Sequence, residues 1–345
     1  TAISCFFLIS CGIDQNLKKA DKHLSLGEYY DAATQYKKVY TKTPTKERAA
    51  RGKVALKMAR CYDKINSTPK ALAAYSNAIR YKQADLNDRL AYARLLLKNG
   101  SYRQAAKEFE FLLDSMPDNM LVKNGLESAR KAPVWKKEGS RYKVKRMDVF
   151  NSRRDDYSPM FLSDDYSQLY FTSTNEAQGS DLNGVTGTKS ADIFFSEKND
   201  KGKWSKPEAI GTGLNTDYEE GACCFTPDGK QMYLTQCTTD PTSPRLAQIV
   251  TSNRSDAAWS KPANLEISKD TLSCFAHPAI SPDGEWLYFV SDMPGGKGGL
   301  DIWRVRITPA GLGGVENLGE PINTPGDEMF PSVLTATSTS AATVM

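Results

Sequence analysis

The second half of the chain repeats itself at an interval of 55 residues, and this repeat restricts the possible folds more than any other feature. The turn at 226–229 (Thr-Pro-Asp-Gly) precedes an apolar stretch at 232–234, and 55 residues later 281–284 (Ser-Pro-Asp-Gly) precedes a similar stretch at 287–289. A Pro-Asp-Gly turn followed by alternating apolar residues is typical of a β-hairpin. The interval therefore predicts equivalent antiparallel units after residue 155.

Further strands complete each unit. We align Ser158-Pro159, followed by the apolar stretch 168–171, as the first copy of the turn and its returning strand. A third strand is expected at 192–194, 248–250 and 301–303. A fourth is expected after Trp204-Ser-Lys-Pro and after Trp259-Ser-Lys-Pro, which are again 55 residues apart, whereas the third copy has 312–315 (Leu-Gly-Gly-Val) there. Four strands per repeat is the pattern of a β-propeller blade.

These repeats resemble the TolB-like propeller family, in which the Ser-Pro-Asp-Gly turn is the most recognisable feature. The resemblance implies a partial all-β propeller over 156–333, with about three blades and the start of a fourth at 327–332. Residues 334–345 have neither the turn nor an aromatic residue, so we interpret them as an atypical tail. Since three blades and a stub do not close a propeller, we expect the natural protein to continue.

Residues 12–131 show a helical repeat instead. Each copy has a small residue followed four positions later by an aromatic one: Ala32 and Tyr36, Ala71 and Tyr75, Ala105 and Phe109. Such pairs lie on one helix face, where the small residue lets a second helix approach. Gly27 and Gly100 are expected to end the first helix of a pair, and Pro44 and Pro117 the second.

This pattern resembles the tetratricopeptide repeat (TPR), which is about 34 residues long, in three copies. The resemblance implies an all-α solenoid that binds extended peptides or helices of partner proteins. No residue identifies the partner.

The chain opens on a short apolar stretch that ends in Leu8-Ile9-Ser10-Cys11, after which it becomes polar. This tetrapeptide resembles the bacterial lipobox, so we interpret 1–11 as the remnant of a signal peptide and Cys11 as a lipidated residue. Acyl chains stabilise membrane binding by about 0.8 kcal/mol per buried CH₂. The alternative is a buried N-terminal strand with an ordinary cysteine.

Residues 132–155 are interpreted as a basic linker. Between residues 131 and 154 the chain has nine Lys or Arg residues and two acidic residues, Glu138 and Asp148. Pro133 and Gly139 are expected to break the helix. Either the linker contacts an anionic surface, such as lipopolysaccharide or a partner domain, or it is a solvated connector.

Little in the sequence indicates catalysis or metal binding. The chain has only two histidines, His23 and His277, and neither a nucleophile elbow nor a phosphate loop. Cys274 and His277 have the spacing of half a zinc site, but the sequence contains no second half. The sequence does not decide whether two of Cys223, Cys224 and Cys237 form a disulfide. The net charge of +4 is too small to indicate nucleic-acid binding. We therefore expect no enzyme, cofactor, metal or nucleic-acid partner.

The order of lipobox, three TPRs, basic linker and TolB-like repeats is similar to that of the OmpA-family lipoproteins of the type IX secretion and gliding apparatus. The resemblance implies a non-enzymatic scaffold, anchored through Cys11 to the periplasmic face of the outer membrane, that binds protein partners of an envelope complex. In that family a further OmpA-like domain binds peptidoglycan, and no residue here corresponds to it. Two alternatives stay open: the propeller domain of a peptidase or other hydrolase, and a TolB-like transport accessory protein.

Overall fold

The structure is a computed structural model that describes residues 2–175, 182–211, 213–216, 218–237, 246–256, 258–335 and 342–344. The side chains of residues 2–13, 334, 335 and 342–344 are outside the described part. The chain forms two compact units, one of Thr1–Lys145 with Leu182–Gly187 and one of Arg146–Asp181 with Thr188–Met345. Among the described residues, no helix combines the length and the hydropathy needed to cross a membrane.

The first unit is all-α, as the sequence predicts. Its helices are α1 (Ala2–Ser25), α2 (Tyr29–Lys42), α3 (Arg48–Lys64), α4 (Thr68–Arg80), α5 (Leu86–Lys98), α6 (Tyr102–Ser115) and α7 (Met120–Glu138). Helices α1 to α6 form three consecutive hairpins, and α7 packs on α6 and α5. The structure therefore has helical hairpins in the part of the chain where the sequence predicts helical repeats.

Each hairpin turns at a residue with left-handed backbone. Gly27 and Gly100 have φ of +73° and +76°, and both follow the first helix of a pair, where the sequence predicts them. The middle hairpin has Asn66 at this place, with φ +59°, which the sequence analysis missed. Asn adopts this conformation more readily than most residues because its short polar side chain bonds locally.

The core of this unit consists of the small and aromatic residues of the repeat. Tyr36, Tyr75 and Phe109 are at most 2% exposed, and the paired alanines are fully buried. A Cβ on Gly125 of α7 would lie 2.3 Å from Cζ of Phe109, so only glycine allows this close approach. The prediction that Pro133 breaks the helix is wrong: Pro133 lies inside α7, and the helix ends at Gly139, which has φ +75°.

The second unit contains antiparallel β-sheets. The strands are β1 (Asp156–Phe161), β2 (Gln168–Ser173), β3 (Asp192–Glu197), β4 (Glu208–Ala209), β5 (Glu219–Phe225), β6 (Gln231–Cys237), β7 (Ala247–Ser255), β8 (Ala258–Trp259), β9 (Ala263–Asn264), β10 (Phe275–Ile280), β11 (Trp286–Ser291), β12 (Asp301–Thr308), β13 (Gly311–Asn317), β14 (Val333–Thr335) and β15 (Ala342–Val344).

Three sheets correspond to the predicted repeats. Their strand orders are β1-β2-β3-β4, then β5-β6-β7-β8 with β9 also on β7, then β10-β11-β12-β13. Apolar side chains of the first and second sheets share one core cluster, and those of the second and third sheets share another. A two-stranded sheet of β14 and β15 begins at Val333 and otherwise lies in the segment 334–345 that we interpret as an atypical tail.

One alignment made from the sequence is wrong. Ser158-Pro159 is not a turn: it lies in β1, beside a β-bulge. The true counterpart of the Pro-Asp-Gly turns is the turn at 163–166, where the backbone N–H of Ser167 donates to Asp165, as Lys230 donates to Asp228 and Glu285 to Asp283. The error arose because Ser158-Pro159 has the same two residues as Ser281-Pro282, which begins the turn of the third repeat. The turn at 163–166 of the first repeat contains neither proline nor glycine and was therefore overlooked.

Candidate binding surfaces

The first helices of the three hairpins, α1, α3 and α5, share a face that we call the first-helix face. Lys57 of α3 forms an ion pair of 2.7 Å with Asp21 of α1, and Arg60 of α3 forms a bidentate pair with Asp88 of α5 at 2.9 and 3.1 Å. Burial favours the neutral form of Asp21, but hydrogen bonds from Lys57 and Tyr36 outweigh it and lower its pKa. These pairs link neighbouring first helices.

One turn further along α3, this face carries further charged side chains around a cavity. A cavity of about 300 Å³ is lined by Asp63, Ala91, Arg94, Leu95 and Lys98. Neither Asp63 nor Arg94 forms an ion pair within 4.0 Å among the described residues. Burial raises the pKa of the Asp63 carboxyl, although Arg94 and Lys98 act in the opposite direction. The cavity therefore offers a carboxylate and a guanidinium that can each take a hydrogen-bonding partner.

The β unit has its own cavity, of about 150 Å³, where four stretches of chain converge. Each stretch contributes one non-glycine residue with left-handed backbone: Ser158 (φ +50°), Ala222 (+44°), His277 (+52°) and Phe330 (+56°). Three of these residues precede a proline, and three lie beside a β-bulge. Non-glycine residues adopt this backbone at a cost, which the surrounding structure must offset.

A hydrogen bond between successive repeats holds two of these residues. The backbone N–H of Ala222 donates to the hydroxyl of Thr172 at 3.0 Å, and that of His277 donates to the hydroxyl of Thr235 at 2.9 Å. In the next repeat the equivalent strand position is Val290, which has no hydroxyl. There the N–H of Phe330 points at Nδ1 of His277 instead, at 3.4 Å.

The His277 ring is part of the wall of this cavity. It stacks on the Phe330 ring with 3.8 Å between centroids and 17° between planes. Burial lowers the pKa of His277 to about 4. The imidazole is therefore neutral at pH 7, as its role as acceptor requires.

One group of side chains among the described residues has metal-ligand composition. The ligand atoms of His23, Glu28 and Asp31 lie within 4.8 Å of one another, at the turn between α1 and α2. This cluster is not among the sites predicted from the sequence, although the spacing His-x₄-Glu-x₂-Asp across a helix turn indicates it. His23 Nδ1 and Glu28 Oε2 are 2.5 Å apart, so the two side chains satisfy each other as a hydrogen-bonded pair. Cys274 and His277 belong to no such cluster within the described residues.

Cys61, Cys223, Cys224 and Cys274 are free thiols in the described part of the chain, so Cys223 and Cys224 do not form the disulfide that the sequence left open. Burial raises the pKa of Cys61 to about 11 and that of Cys223 to about 12. Thiols of such high pKa are poor nucleophiles at neutral pH. Cys11 lies in α1, but its side chain is outside the described part, so its lipidation stays a prediction.

Comparisons with known proteins identify no family. No protein-family model matches the chain, and no curated protein matches it. Similar solved structures include the C-terminal TPR-containing domain of an FK506-binding protein from Plasmodium falciparum, with TM-score 0.33 and 13% identity over 38% of this chain and 94% of that one. They also include an α-L-arabinofuranosidase from Lactobacillus brevis, with TM-score 0.37 and 15% identity over 55% of this chain and 64% of that one.

A protein of unknown function from Dyadobacter fermentans is also similar, with TM-score 0.36 and 13% identity. It is matched over 53% of this chain and 54% of its own length. Scores and identities this low carry no argument about function.

Proposed function

We propose that this protein is a scaffold that binds an extended segment of a partner protein on its first-helix face. The observation that supports this most is the cavity beside α3 and α5, where Asp63 and Arg94 have no ion-pair partner in the part of the chain that the structure describes. A peptide backbone presents both N–H donors and C=O acceptors. The Asp63 carboxylate can accept from the N–H groups, and the Arg94 guanidinium can donate to the C=O groups. The buried Leu95 and the adjacent Ala91 add an apolar floor.

The energetics of Asp63 favour a binding role over a structural one. A half-buried carboxylate with a raised pKa destabilises the folded state at neutral pH, and an asparagine of nearly equal volume would avoid that cost. Groups that reduce stability while exposing a hydrogen-bonding function are common at binding sites. We infer that Asp63 accepts a donor from the partner, and that Arg94 donates to a carbonyl or carboxylate.

The β unit extends this scaffold as part of a propeller. The support is the cavity at which Ser158, Ala222, His277 and Phe330 converge, because equivalent residues of successive repeats meet at one place when repeats are arranged around an axis. We also propose, from the resemblance of the sequence, that Cys11 is acylated and that the protein lies at the periplasmic face of the outer membrane, within a secretion complex. In that setting a separate OmpA-like domain would supply peptidoglycan binding.

We propose further that the protein is not an enzyme. Both histidines are occupied in structural contacts: His23 pairs with Glu28, and His277 is stacked on Phe330 in its neutral form. Hydrolysis of a peptide or ester that persists through purification and is lost on one Ser or Asp substitution would reject this proposal.

The test of the binding proposal uses two matched double variants of the full chain. Arg94→Ala with Lys98→Ala removes the cations at the cavity, whereas Arg103→Ala with Lys107→Ala removes two exposed cations from α6. Pull-down from detergent-solubilised envelope should lose its specific partners, by at least about tenfold, in the first variant only. Equal recovery by both variants would reject the cavity as the docking site.

Photo-crosslinking identifies the contact directly. A benzoylphenylalanine at Ala91 should crosslink the same partner, and one at Arg103 should not. A partner that is recovered normally but crosslinks only from Arg103 would place the binding surface on the second helices.

A further inference from the structure

We propose that residues 131–145, here called the basic segment, bind the surface of an anionic lipid bilayer. The segment (Lys-Ala-Pro-Val-Trp-Lys-Lys-Glu-Gly-Ser-Arg-Tyr-Lys-Val-Lys) contains six Lys or Arg residues and one Glu. It includes the end of α7 and the stretch that follows. This inference does not depend on the proposed function of the first-helix face.

The basic segment is exposed to solvent along almost its entire length. The last residue of α7 that is buried is Ala129, and every residue from Pro133 to Lys145 is exposed. The last turns of α7 therefore continue beyond the part of the helix that packs against its neighbours. A helix end that contributes nothing to the core needs another reason to carry exposed apolar side chains such as Val134 and Trp135.

Large apolar side chains are exposed within this basic stretch. Trp135 is 55% exposed, Tyr142 is 68% exposed and Val144 is 95% exposed, and Val134 is also exposed. Exposed apolar side chains of this size are unfavourable in water unless something covers them. Aromatic rings with a polar edge are the side chains that are most stable at the boundary between lipid headgroups and acyl chains.

The charges of the segment are available to a partner. Lys131 pairs with Glu127, but Lys136, Lys137, Lys143 and Lys145 form no ion pair within 4.0 Å among the described residues. Each Lys or Arg near an anionic bilayer contributes about a fivefold change in affinity. Long basic side chains also reach the headgroups while their methylene stems cover apolar surface.

The composition favours a lipid surface over nucleic acid or an acidic protein. Nucleic acids would use the cations and the two aromatic rings, but they offer nothing that covers the aliphatic Val134 and Val144. An acidic protein would be expected to meet a defined groove, whereas these residues belong to an extended, uniformly exposed stretch. A bilayer interface accepts cations, aromatic rings and aliphatic side chains together.

The experiment is co-sedimentation of the full chain with vesicles, carried out on Cys11→Ser protein so that no acyl chain contributes. Vesicles of phosphatidylcholine with one third phosphatidylglycerol should bind the protein, and vesicles of phosphatidylcholine alone should not. Replacing Lys136, Lys137, Lys143 and Lys145 by Gln should weaken binding by at least about 100-fold. The matched control replaces four exposed lysines elsewhere in the same unit, Lys37, Lys38, Lys46 and Lys53, and should weaken it by less than about tenfold.

A second measurement follows the indole itself. Brominated lipid in the same anionic vesicles should quench part of the tryptophan fluorescence, and that part should be absent in Trp135→Phe, because the other four tryptophans lie at 204 and beyond. Equal loss of binding in both lysine variants would mean that only net charge matters and would overturn the proposal. So would binding that survives the four substitutions in the basic segment, or binding to nucleic acid with no binding to anionic vesicles.

Discussion

Acidification should destabilise the β unit through His277, and the expected size follows from its surroundings. The ring lies against the Phe330 ring, and the backbone N–H of Phe330 points at its Nδ1, which favours an unprotonated nitrogen there. Its pKa is lowered from 6.5 to about 4 in the folded state, and the main cause is burial. Each pKa unit of difference corresponds to about 1.36 kcal/mol. Full protonation of His277 in the unfolded chain therefore lowers the free energy of unfolding by about 3 kcal/mol.

The direction of the effect follows from proton binding. Between about pH 6.5 and pH 4 the unfolded chain binds a proton at His277 that the folded chain does not. Above the unfolded pKa, His277 is neutral in both states and does not destabilise the folded state. As the pH falls from about 6.5 to about 4, protonation of His277 in the unfolded chain lowers the free energy of unfolding. Carboxylates titrate in the same range, so the measurement must isolate the histidine.

The assay is urea unfolding followed by tryptophan fluorescence at several pH values, because four of the five tryptophans lie in the β unit. His277→Asn is the comparison, since Asn is uncharged and tolerates the left-handed backbone of this position. The free energy of unfolding of the wild type should fall by about 3 kcal/mol more than that of the variant between pH 7 and pH 4. Parallel pH dependence in the two proteins would refute the argument that His277 is held neutral by burial.

Three further predictions concern the helical unit. Gly125→Ala should reduce the free energy of unfolding by up to about 2 kcal/mol, since the clash with Phe109 costs about 1–3 kcal/mol and the better helix propensity returns about 1. Urea unfolding by circular dichroism should show this loss, while Asn124→Ala on the exposed side of α7 should show none. Asp63→Asn should raise the melting temperature at pH 7, because burial raises the pKa of that carboxyl, and the gain should vanish below pH 3.8, where both forms are neutral. Cys11→Ser should abolish labelling of the expressed protein by a palmitate analogue, and a label that persists would contradict the lipobox interpretation.

The repeats were predictable from the sequence because each depends on local chemistry. Gly27 and Gly100 end helices since only a residue without a Cβ adopts their backbone at little cost, and alanines placed four before an aromatic residue define one helix face. The strands after each Pro-Asp-Gly turn follow for the same reason. The exceptions are instructive: Asn66 substitutes for glycine, and Pro133 lies in a helix that tertiary packing stabilises on its N-terminal side.

Only the tertiary structure decided which residues meet. Ser158, Ala222, His277 and Phe330 come from four separate stretches of the chain, and no spacing rule marks them, because their shared feature is a backbone angle imposed by bulges and neighbouring strands. The sequence likewise gave no reason to single out Asp63 and Arg94. They line one cavity because the fold brings α3 beside α5, where Arg60 also pairs with Asp88. The balance between burial and charge at Asp63 depends on distances in space rather than along the chain.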